Sequence, residues 1–445
     1  MNGLISGFYG GLTFALVRLL KMFRVEGMSP SWFWTAYAFK FAAALALLWF
    51  YGGTERNKAD IYRFWDDSQV IYSSLETKPA DYFKMLSGID AGDKALEKYY
   101  RTANNWYPSE GSSVFSNNRL LIRYLALMSL FTLGSYGGVL IITIFLSFTG
   151  LFWVFRFFSR QMPDKKHLVY FAVFFTPSVL FWSSGILKES LIWFFTGLIL
   201  NCLYLALKGK RAVLRSLVVV IAFVLLSQVK AFAALFLATA LLPWLYNYIR
   251  RPQRPFVSYF IVFFIMISLT SESDKIMHQG VYQMIIKKQS AFVTLAEREG
   301  ARSLISAPQL EPNTFSFARE LPEALSVSLF RPLPKEINSP QMWLMFAENI
   351  LLLLAIVFAF VFRSKRIRNA NTMWLSLFFA FLYLSLIGYS VPVLGAVSRY
   401  RTIPLVFLLM ALIEIADIKK VEDFFMLARK RKPETTVHPR NSTIR

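Results

Sequence analysis

The chain contains few cysteine, histidine and acidic residues. Its only cysteine, Cys202, excludes an intramolecular disulfide. None of its three histidines has the spacing of a metal-binding motif such as HExxH. It also contains no phosphate-cradling P-loop and no GxGxxG turn. These absences disfavour ATP-driven transport and a cytoplasmic Rossmann domain that would bind nucleotide sugars.

Hydrophobic residues and positive charge are abundant instead. Of the 445 residues, 56% are hydrophobic and 17% are aromatic, and the formal net charge is +22. This composition excludes an ordinary soluble domain. The basic residues lie in short loops between apolar runs, where they set membrane topology and attract anionic lipid heads. We therefore expect membrane lipid as a partner and no nucleic acid.

Apolar runs of the length needed for membrane spans recur along the chain. Their number predicts an all-α fold, a polytopic transmembrane helical bundle of about ten spans. The apolar stretch 3–20 is interrupted by glycines and predicts an interfacial or first-turn helix, and 120–133 predicts a re-entrant or interfacial helix. The predicted spans are 33–51, 139–158, 168–184, 186–207, 216–229, 231–249, 256–270, 343–362, 373–390 and 403–416.

The asymmetry of charge orients these spans. Positive loops stay in the cytoplasm, so the two long polar loops, 52–118 and 271–340, should lie outside and carry short interfacial helices. We expect one integral-membrane domain over 1–416, a basic cytoplasmic tail over 417–445, and both termini in the cytoplasm. The short basic loops are 156–167, 208–215, 250–254 and 363–368.

Paired acids stand in the first long loop, in the segment Phe64-Trp-Asp-Asp-Ser68. At headgroup depth, Asp66 or Asp67 could take a proton from a sugar hydroxyl or help to hold a divalent cation. Such a pair is also typical of a helix N-terminus, where it caps the backbone and interacts with the helix dipole. The dipeptide alone leaves both interpretations open, and with them the need for a metal.

Further ionisable residues stand where predicted spans meet the outer face. Charges at such junctions are costly unless they face a polar cavity or one another, so these residues are candidates for substrate binding. Basic groups there would hold the phosphate of an anionic lipid-linked substrate, and arginine could do so bidentately. Interfacial snorkelling and simple ion pairing are the alternatives. The candidates are Lys188, Glu189, Lys230, Arg331, Arg399 and Arg401.

The predicted chain has a first span, a large outer loop that opens with an Asp-containing aromatic motif, many further spans, and the segment Arg399-Tyr-Arg401 before the last span. This arrangement resembles that of the GT-C class of integral-membrane glycosyltransferases. Three segments, Pro177–Glu189, Ser328–Pro332 and Ser398–Pro404, also resemble poorly characterised membrane proteins of bacterial envelope-polysaccharide loci. The resemblance implies a polyprenyl-phosphate sugar donor, an acid in the first outer loop as base or metal partner, and an arginine on the lipid phosphate. By motif, these roles fall on Asp66 or Asp67 and on Arg399 or Arg401. Many GT-C members carry a soluble C-terminal domain, whereas this chain ends in a short basic tail.

The predicted function is therefore a glycosyltransferase of the bacterial cytoplasmic membrane. It would use a polyprenyl-phosphate-linked sugar donor at the outer face and a glycan or lipid acceptor. One alternative is an oligosaccharide polymerase or O-antigen-type ligase, and another is a transporter or a structural subunit of an envelope complex. A transporter should carry charges and broken helices near the bilayer midplane. Most ionisable residues instead lie at span ends, with Lys40 and Glu348 as exceptions.

Overall fold

The computed structural model describes residues 2–53, 56, 59–107, 118–301 and 303–420. Nearly all of the predicted tail and part of the first long loop therefore lie outside the described residues. The described residues form helices, and we number the α-helices in chain order. They are α1 (Asn2–Leu19), α2 (Ser31–Tyr51), α3 (Asp60–Thr77), α4 (Pro79–Ser87), α5 (Glu97–Tyr100), α6 (Arg119–Phe131), α7 (Tyr136–Gln161), α8 (Lys166–Phe174), α9 (Pro177–Trp182), α10 (Lys188–Leu207), α11 (Ala212–Val229), α12 (Ala231–Arg250), α13 (Phe256–Ser271), α14 (Ser273–Ile276), α15 (Val281–Arg298), α16 (Thr314–Phe330), α17 (Pro340–Val361), α18 (Ala370–Ser390), α19 (Leu394–Tyr400) and α20 (Thr402–Ile415).

Seven of these helices are long and apolar enough to cross a membrane, namely α2, α7, α10, α11, α12, α17 and α18. The all-α class and the multi-pass membrane character are thereby confirmed. The other predicted spans are shorter or broken: 168–184 is divided into α8 and α9, α13 has 16 residues, and α20 bends by 56° from α19. The division at α9 follows from Pro177, which starts a helix and keeps the preceding residue extended. The number of ten spans stays a prediction.

The centre of the bundle is built around α7, α10 and α18. In α7, 78% of the most apolar stretch is buried, compared with 22% in α11 and 28% in α17. The backbones of α7 and α10 meet where Gly150 faces Gly197, and a Cβ atom on either glycine would collide with the opposite backbone. Small residues at such crossings bring the helices into close contact without a hydrophobic driving force between them. The outer helices α11 and α17 accordingly present apolar side chains to lipid.

The position of α1 contradicts the interfacial prediction for 3–20. The Tyr9 hydroxyl donates to the Phe131 carbonyl at 2.6 Å, whereas Phe23 packs on Phe148 and Phe152 of α7. The helix therefore runs alongside α7, and its first turn lies at the end of α7 opposite the basic loop 156–167. If that loop is cytoplasmic, the first turn of α1 lies on the opposite side, in contrast to the predicted cytoplasmic N-terminus. Its glycines lower the hydropathy of α1 but permit close packing.

The two long loops form helical layers on one end of the bundle. In the first loop, α3 and α4 pack on α6, which follows the loop, and the Tyr82 hydroxyl donates to the Ala126 carbonyl at 3.2 Å. The 13 residues of α6 reach about 20 Å, which is too short for a span. In the second loop, α15 and α16 pack on α18. The helices α3, α15 and α16 have 18, 18 and 17 residues, so the prediction of only short helices there needs correction.

Candidate anion site at the helix junctions

Ionisable residues from five parts of the chain come together where several helices begin or end. We call this group the junction cluster. It consists of Asp60 at the start of α3, Lys188 and Glu189 at the start of α10, Lys230 between α11 and α12, Lys288 in α15, and Arg399 and Tyr400 at the end of α19.

Arg399 lies at the centre of the cluster and pairs with two carboxylates. Its Nη1 atom is 2.6 Å from Oδ2 of Asp60, and its Nε atom is 2.8 Å from Oε2 of Glu189. Both acids stand in the first turn of a helix, where the helix dipole favours negative charge. The side chains of Arg399 and Glu189 are only 13% and 2% exposed, so this contact is a buried ion pair.

Lys230 interrupts what would otherwise be a continuous helix and extends over an aromatic ring. Its backbone is extended, with φ −156° and ψ 96°, between α11 and α12. Its ammonium lies 3.4 Å from the ring centroid of Tyr400, a close cation–π contact. Burial lowers the pKa of Lys230, and the nearby carboxylate of Glu189 counteracts that effect. The residue thus places a buried amine beside the Arg399 ion pairs.

Two further lysines reach the same place from α10 and α15. The Nζ atom of Lys188 lies 5.9 Å from the ring centroid of Phe64, and that of Lys288 lies 4.1 Å from the ring centroid of Phe232. Burial and, secondarily, the charge of Lys188 lower the pKa of Lys288 to about 7. The second long loop therefore contributes to the cluster an amine that titrates near neutral pH.

The balance of charge makes the cluster suited to an anion. Four basic side chains surround two carboxylates, so an arriving phosphate would relieve repulsion among the bases and accept charge-assisted hydrogen bonds. The backbone N–H groups at the start of α10 add partial positive charge. Among the described residues no group of three or more His, Cys, Asp or Glu side chains could hold a metal ion. Both carboxylates pair with Arg399, so the donor set does not fit a divalent cation.

The predicted acids of the first loop lie outside the junction cluster. Asp67 is 1% exposed and accepts hydrogen bonds from the Asn104 backbone at 2.5 Å, the Asn104 side chain at 3.1 Å and the Asn105 backbone at 2.8 Å. It therefore fastens the loop to α3. Asp66 faces solvent on the same helix. Partial desolvation and the charge of Asp67 raise the pKa of Asp66, and Arg56 opposes them.

Two of the predicted arginines also lie elsewhere. Arg401 is 1% exposed and places Nη2 at 3.0 Å from Oε1 of Glu348 in α17. Arg331 pairs locally with Glu336 at 2.8 Å and with Glu323 at 3.8 Å. The structure thus brings together Lys188, Glu189, Lys230 and Arg399, and separates Arg401 and Arg331 from them.

Sequence reasoning missed three members of the cluster. Asp60 is an acid in the first turn of a helix, which is a recognisable pattern, but no aromatic motif surrounds it as one surrounds Asp66. Lys288 follows Ile285 by one turn in an amphipathic helix, which a search for helical periodicity in the second loop could have found. Tyr400 separates two arginines in the sequence, and no local pattern indicates that its ring contacts Lys230.

Comparison with known proteins adds no functional assignment. No known family, curated protein or solved structure matches the chain. Function must therefore be inferred from the junction cluster itself, and the resemblance to GT-C enzymes stays a prediction.

Proposed function

We propose that the protein is a polytopic glycosyltransferase that takes sugar from a polyprenyl-phosphate donor at the outer face of the bacterial cytoplasmic membrane. The observation that carries this proposal is the junction cluster, in which four bases and two carboxylates meet at helix ends. A lipid phosphate would bind among Arg399, Lys188, Lys230 and Lys288. The sugar would then lie next to the carboxylates, within reach of an acceptor hydroxyl.

The chemistry of the cluster matches the charge that develops in this reaction. When the acceptor hydroxyl attacks the anomeric carbon, the bond from that carbon to the phosphate oxygen breaks and its electron pair stays on the phosphate. The phosphate therefore gains negative charge in the transition state, where fixed cations stabilise it most strongly. A carboxylate of the cluster takes the proton from the hydroxyl. The arginine fork fits two phosphate oxygens.

The proposed side of the membrane follows from α10. This helix begins at the cluster with Lys188 and ends at Leu207, just before the basic loop 208–215. Its 20 residues reach about 30 Å, the thickness of a hydrocarbon core. If the basic loop stays in the cytoplasm, the cluster lies at the outer surface. The topology that we propose has the ten predicted spans and α1 as a further crossing, with 52–118 and 271–340 both outside.

A transporter of lipid-linked substrates is the second candidate. Lys40, the tenth residue of the spanning helix α2, is 1% exposed and donates to the Ser183 carbonyl at 2.7 Å and the Ser183 hydroxyl at 2.6 Å. The acceptor lies at the end of the broken pair α8 and α9. A buried charge beside an interrupted helix is typical of transport sites. A polymerase or ligase would use the junction cluster in the same way as a transferase.

Binding in nanodiscs tests the phosphate site. We expect polyprenyl phosphate to bind more tightly than uncharged polyprenol, which shares the tail, and than inorganic phosphate, which shares the head. Lys188→Met and Lys288→Met should each weaken binding of polyprenyl phosphate about tenfold, because each removes a charge-assisted contact. Lys335→Met is the matched control, since Lys335 is exposed outside the cluster. Equal affinity for polyprenol would contradict the site.

Turnover separates the two candidate functions. Radiolabelled polyprenyl-phosphate sugars, extracted from bacterial membranes, are supplied with the protein in liposomes. A transferase releases polyprenyl phosphate and moves the label to an acceptor, whereas a transporter moves intact donor between leaflets. Lys188→Met should lower release by about 10²–10³-fold, because fixed cations stabilise the leaving phosphate most strongly in the transition state. Movement of intact donor that Lys40→Met prevents, without any release of phosphate, would support transport and refute the transferase.

A further inference from the structure

Two carboxylates share Arg399, but the protein encloses them differently. The Glu189 side chain is 2% exposed and contacts Nε of Arg399, on the stem side of the guanidinium. The Asp60 side chain is 39% exposed and contacts the terminal Nη1 atom. Asp60 is also the first residue of α3. Of the two acids, Asp60 is the one that can leave Arg399 without entering an apolar environment.

We propose that the phosphate of the lipid donor displaces Asp60 from Arg399, and that the released carboxylate then serves as the catalytic base. This inference rests on the proposed function and assigns the base within it. In the ligand-free protein, Arg399 contacts Glu189 through Nε and Asp60 through Nη1, so an anion that takes both terminal nitrogens must displace Asp60. The exchange makes the base available only when the donor is bound.

The energetics favour exchange at Asp60 and oppose it at Glu189. Displacing Glu189 would leave a carboxylate buried without its partner, which is costly. Displacing Asp60 gives up one charge-assisted contact of a partly solvated group, and water replaces it. The phosphate gains the terminal guanidinium nitrogens together with the amines of Lys188 and Lys230. The donor phosphodiester is a monoanion like the carboxylate that it displaces, but it makes more contacts than Asp60 loses.

The reaction step is balanced with Asp60 as the proton acceptor. The oxygen of the acceptor hydroxyl forms a bond to the anomeric carbon, and the bond between that carbon and the phosphate oxygen breaks. The bonding electrons stay on polyprenyl phosphate, and the hydroxyl proton passes to the Asp60 carboxylate. When polyprenyl phosphate leaves, Asp60 loses the proton to water and pairs with Arg399 again.

Exchange predicts opposite effects on binding and on turnover. Asp60→Asn removes the competitor of the phosphate, so polyprenyl phosphate should bind about tenfold more tightly in nanodiscs. The same variant lacks the base, so release of phosphate from the radiolabelled donors should fall by about 10²–10⁴-fold. Glu76→Gln is the matched control. It removes an exposed carboxylate from the far end of α3 and should change neither quantity.

A double-mutant cycle separates exchange from a general effect of charge. If Asp60 competes on Arg399, the gain in affinity from Asp60→Asn should disappear in an Arg399→Gln background. If the Gln variant does not keep the wild-type melting temperature, Arg399→Lys replaces it, and the gain should fall below about threefold because the fork is lost. A tenfold gain that persists in either background would overturn the exchange.

The failures of the two proposals are distinguishable. Unchanged or weaker binding in Asp60→Asn, with wild-type protein still selecting polyprenyl phosphate over polyprenol, would refute the exchange and leave the phosphate site in place. Full turnover in Asp60→Asn would refute its role as base. Absence of any selectivity in the wild-type protein would refute the proposed function itself.

Discussion

The ion pair between Glu348 and Arg401 should stabilise the bundle without contributing to phosphate binding. Arg401 Nη2 lies 3.0 Å from Oε1 of Glu348, and the Ser178 backbone N–H donates to Oε2 at 2.6 Å. Arg401 Nη1 also donates to the Leu329 carbonyl at 3.4 Å. Through these contacts α17 is joined to α9, to α16 and to the bend between α19 and α20.

Removal of one partner gives a magnitude that can be measured. Glu348→Gln leaves the Arg401 guanidinium charged and 1% exposed, with a neutral amide in place of its carboxylate. Breaking a buried pair in this way costs about 3–5 kcal/mol, which changes the unfolding equilibrium by roughly 10²–10⁴-fold. The double variant Glu348→Leu with Arg401→Met should recover most of that loss, because no buried charge remains without a partner.

The assay combines stability with binding. Unfolding is followed in mixed micelles by titration with sodium dodecyl sulfate and circular dichroism, and polyprenyl phosphate binding is measured in nanodiscs. The double variant should unfold near the wild-type midpoint and bind polyprenyl phosphate with wild-type affinity. A stable double variant that no longer binds the lipid would refute the separation of Arg401 from the phosphate site. Glu348→Gln with wild-type stability would refute the structural role.

Three further predictions concern pH, the first loop and topology. Because Lys288 has a pKa of about 7 without ligand and a bound phosphate raises it, affinity for polyprenyl phosphate should fall as the pH rises above 7, where the lipid phosphate is already ionised. The contribution of Lys288 to this fall is at most tenfold per pH unit, and Lys288→Arg should reduce the slope between pH 7 and 8. Asp67→Asn should lower the free energy of unfolding by about 1–3 kcal/mol, because its amide would face backbone donors. Binding of polyprenyl phosphate should stay intact, and lost binding at wild-type stability would contradict this prediction. With Cys202 replaced by alanine, Gly3→Cys and Gly92→Cys should react with an impermeant thiol reagent from one side and Lys210→Cys only from the other. Reaction of Gly3→Cys from the side of Lys210→Cys would refute the path of α1.

The fold was predictable to the extent that hydropathy determines it. Long apolar runs predicted the seven long spanning helices, because a helix in lipid must satisfy its own backbone. The path of α1 was not predictable in this way. Its glycines reduce the hydropathy while allowing close packing, and Gly10 lies near Ile141 of α7. The path of α1 is determined by its contact with α7, and no local sequence pattern encodes that contact.

The candidate site was predictable where a charge interrupts an apolar run. Lys188, Glu189, Lys230 and Arg399 stand out for this reason, because an ionisable group at a span end needs a partner. Asp67 was also predicted as a site residue, yet its carboxylate accepts hydrogen bonds from Asn104 and Asn105. Its role depends on a loop 37 residues away, and a dipeptide contains no information about that loop.

The position of the junction cluster follows from the backbone as much as from its charges. Helices α3, α10 and α12 each begin beside a cluster residue, and the first N–H groups of a helix have no partner within it. At the edge of the membrane such groups need polar neighbours, which carboxylates such as Asp60 and Glu189 provide. The acids then require a cation, and Arg399 supplies it from 339 residues along the chain. With Arg399 committed to both acids, the lysines carry the remaining positive charge of the cluster. An anion is the ligand that this excess favours, and in the proposed exchange it takes the place of Asp60 on Arg399.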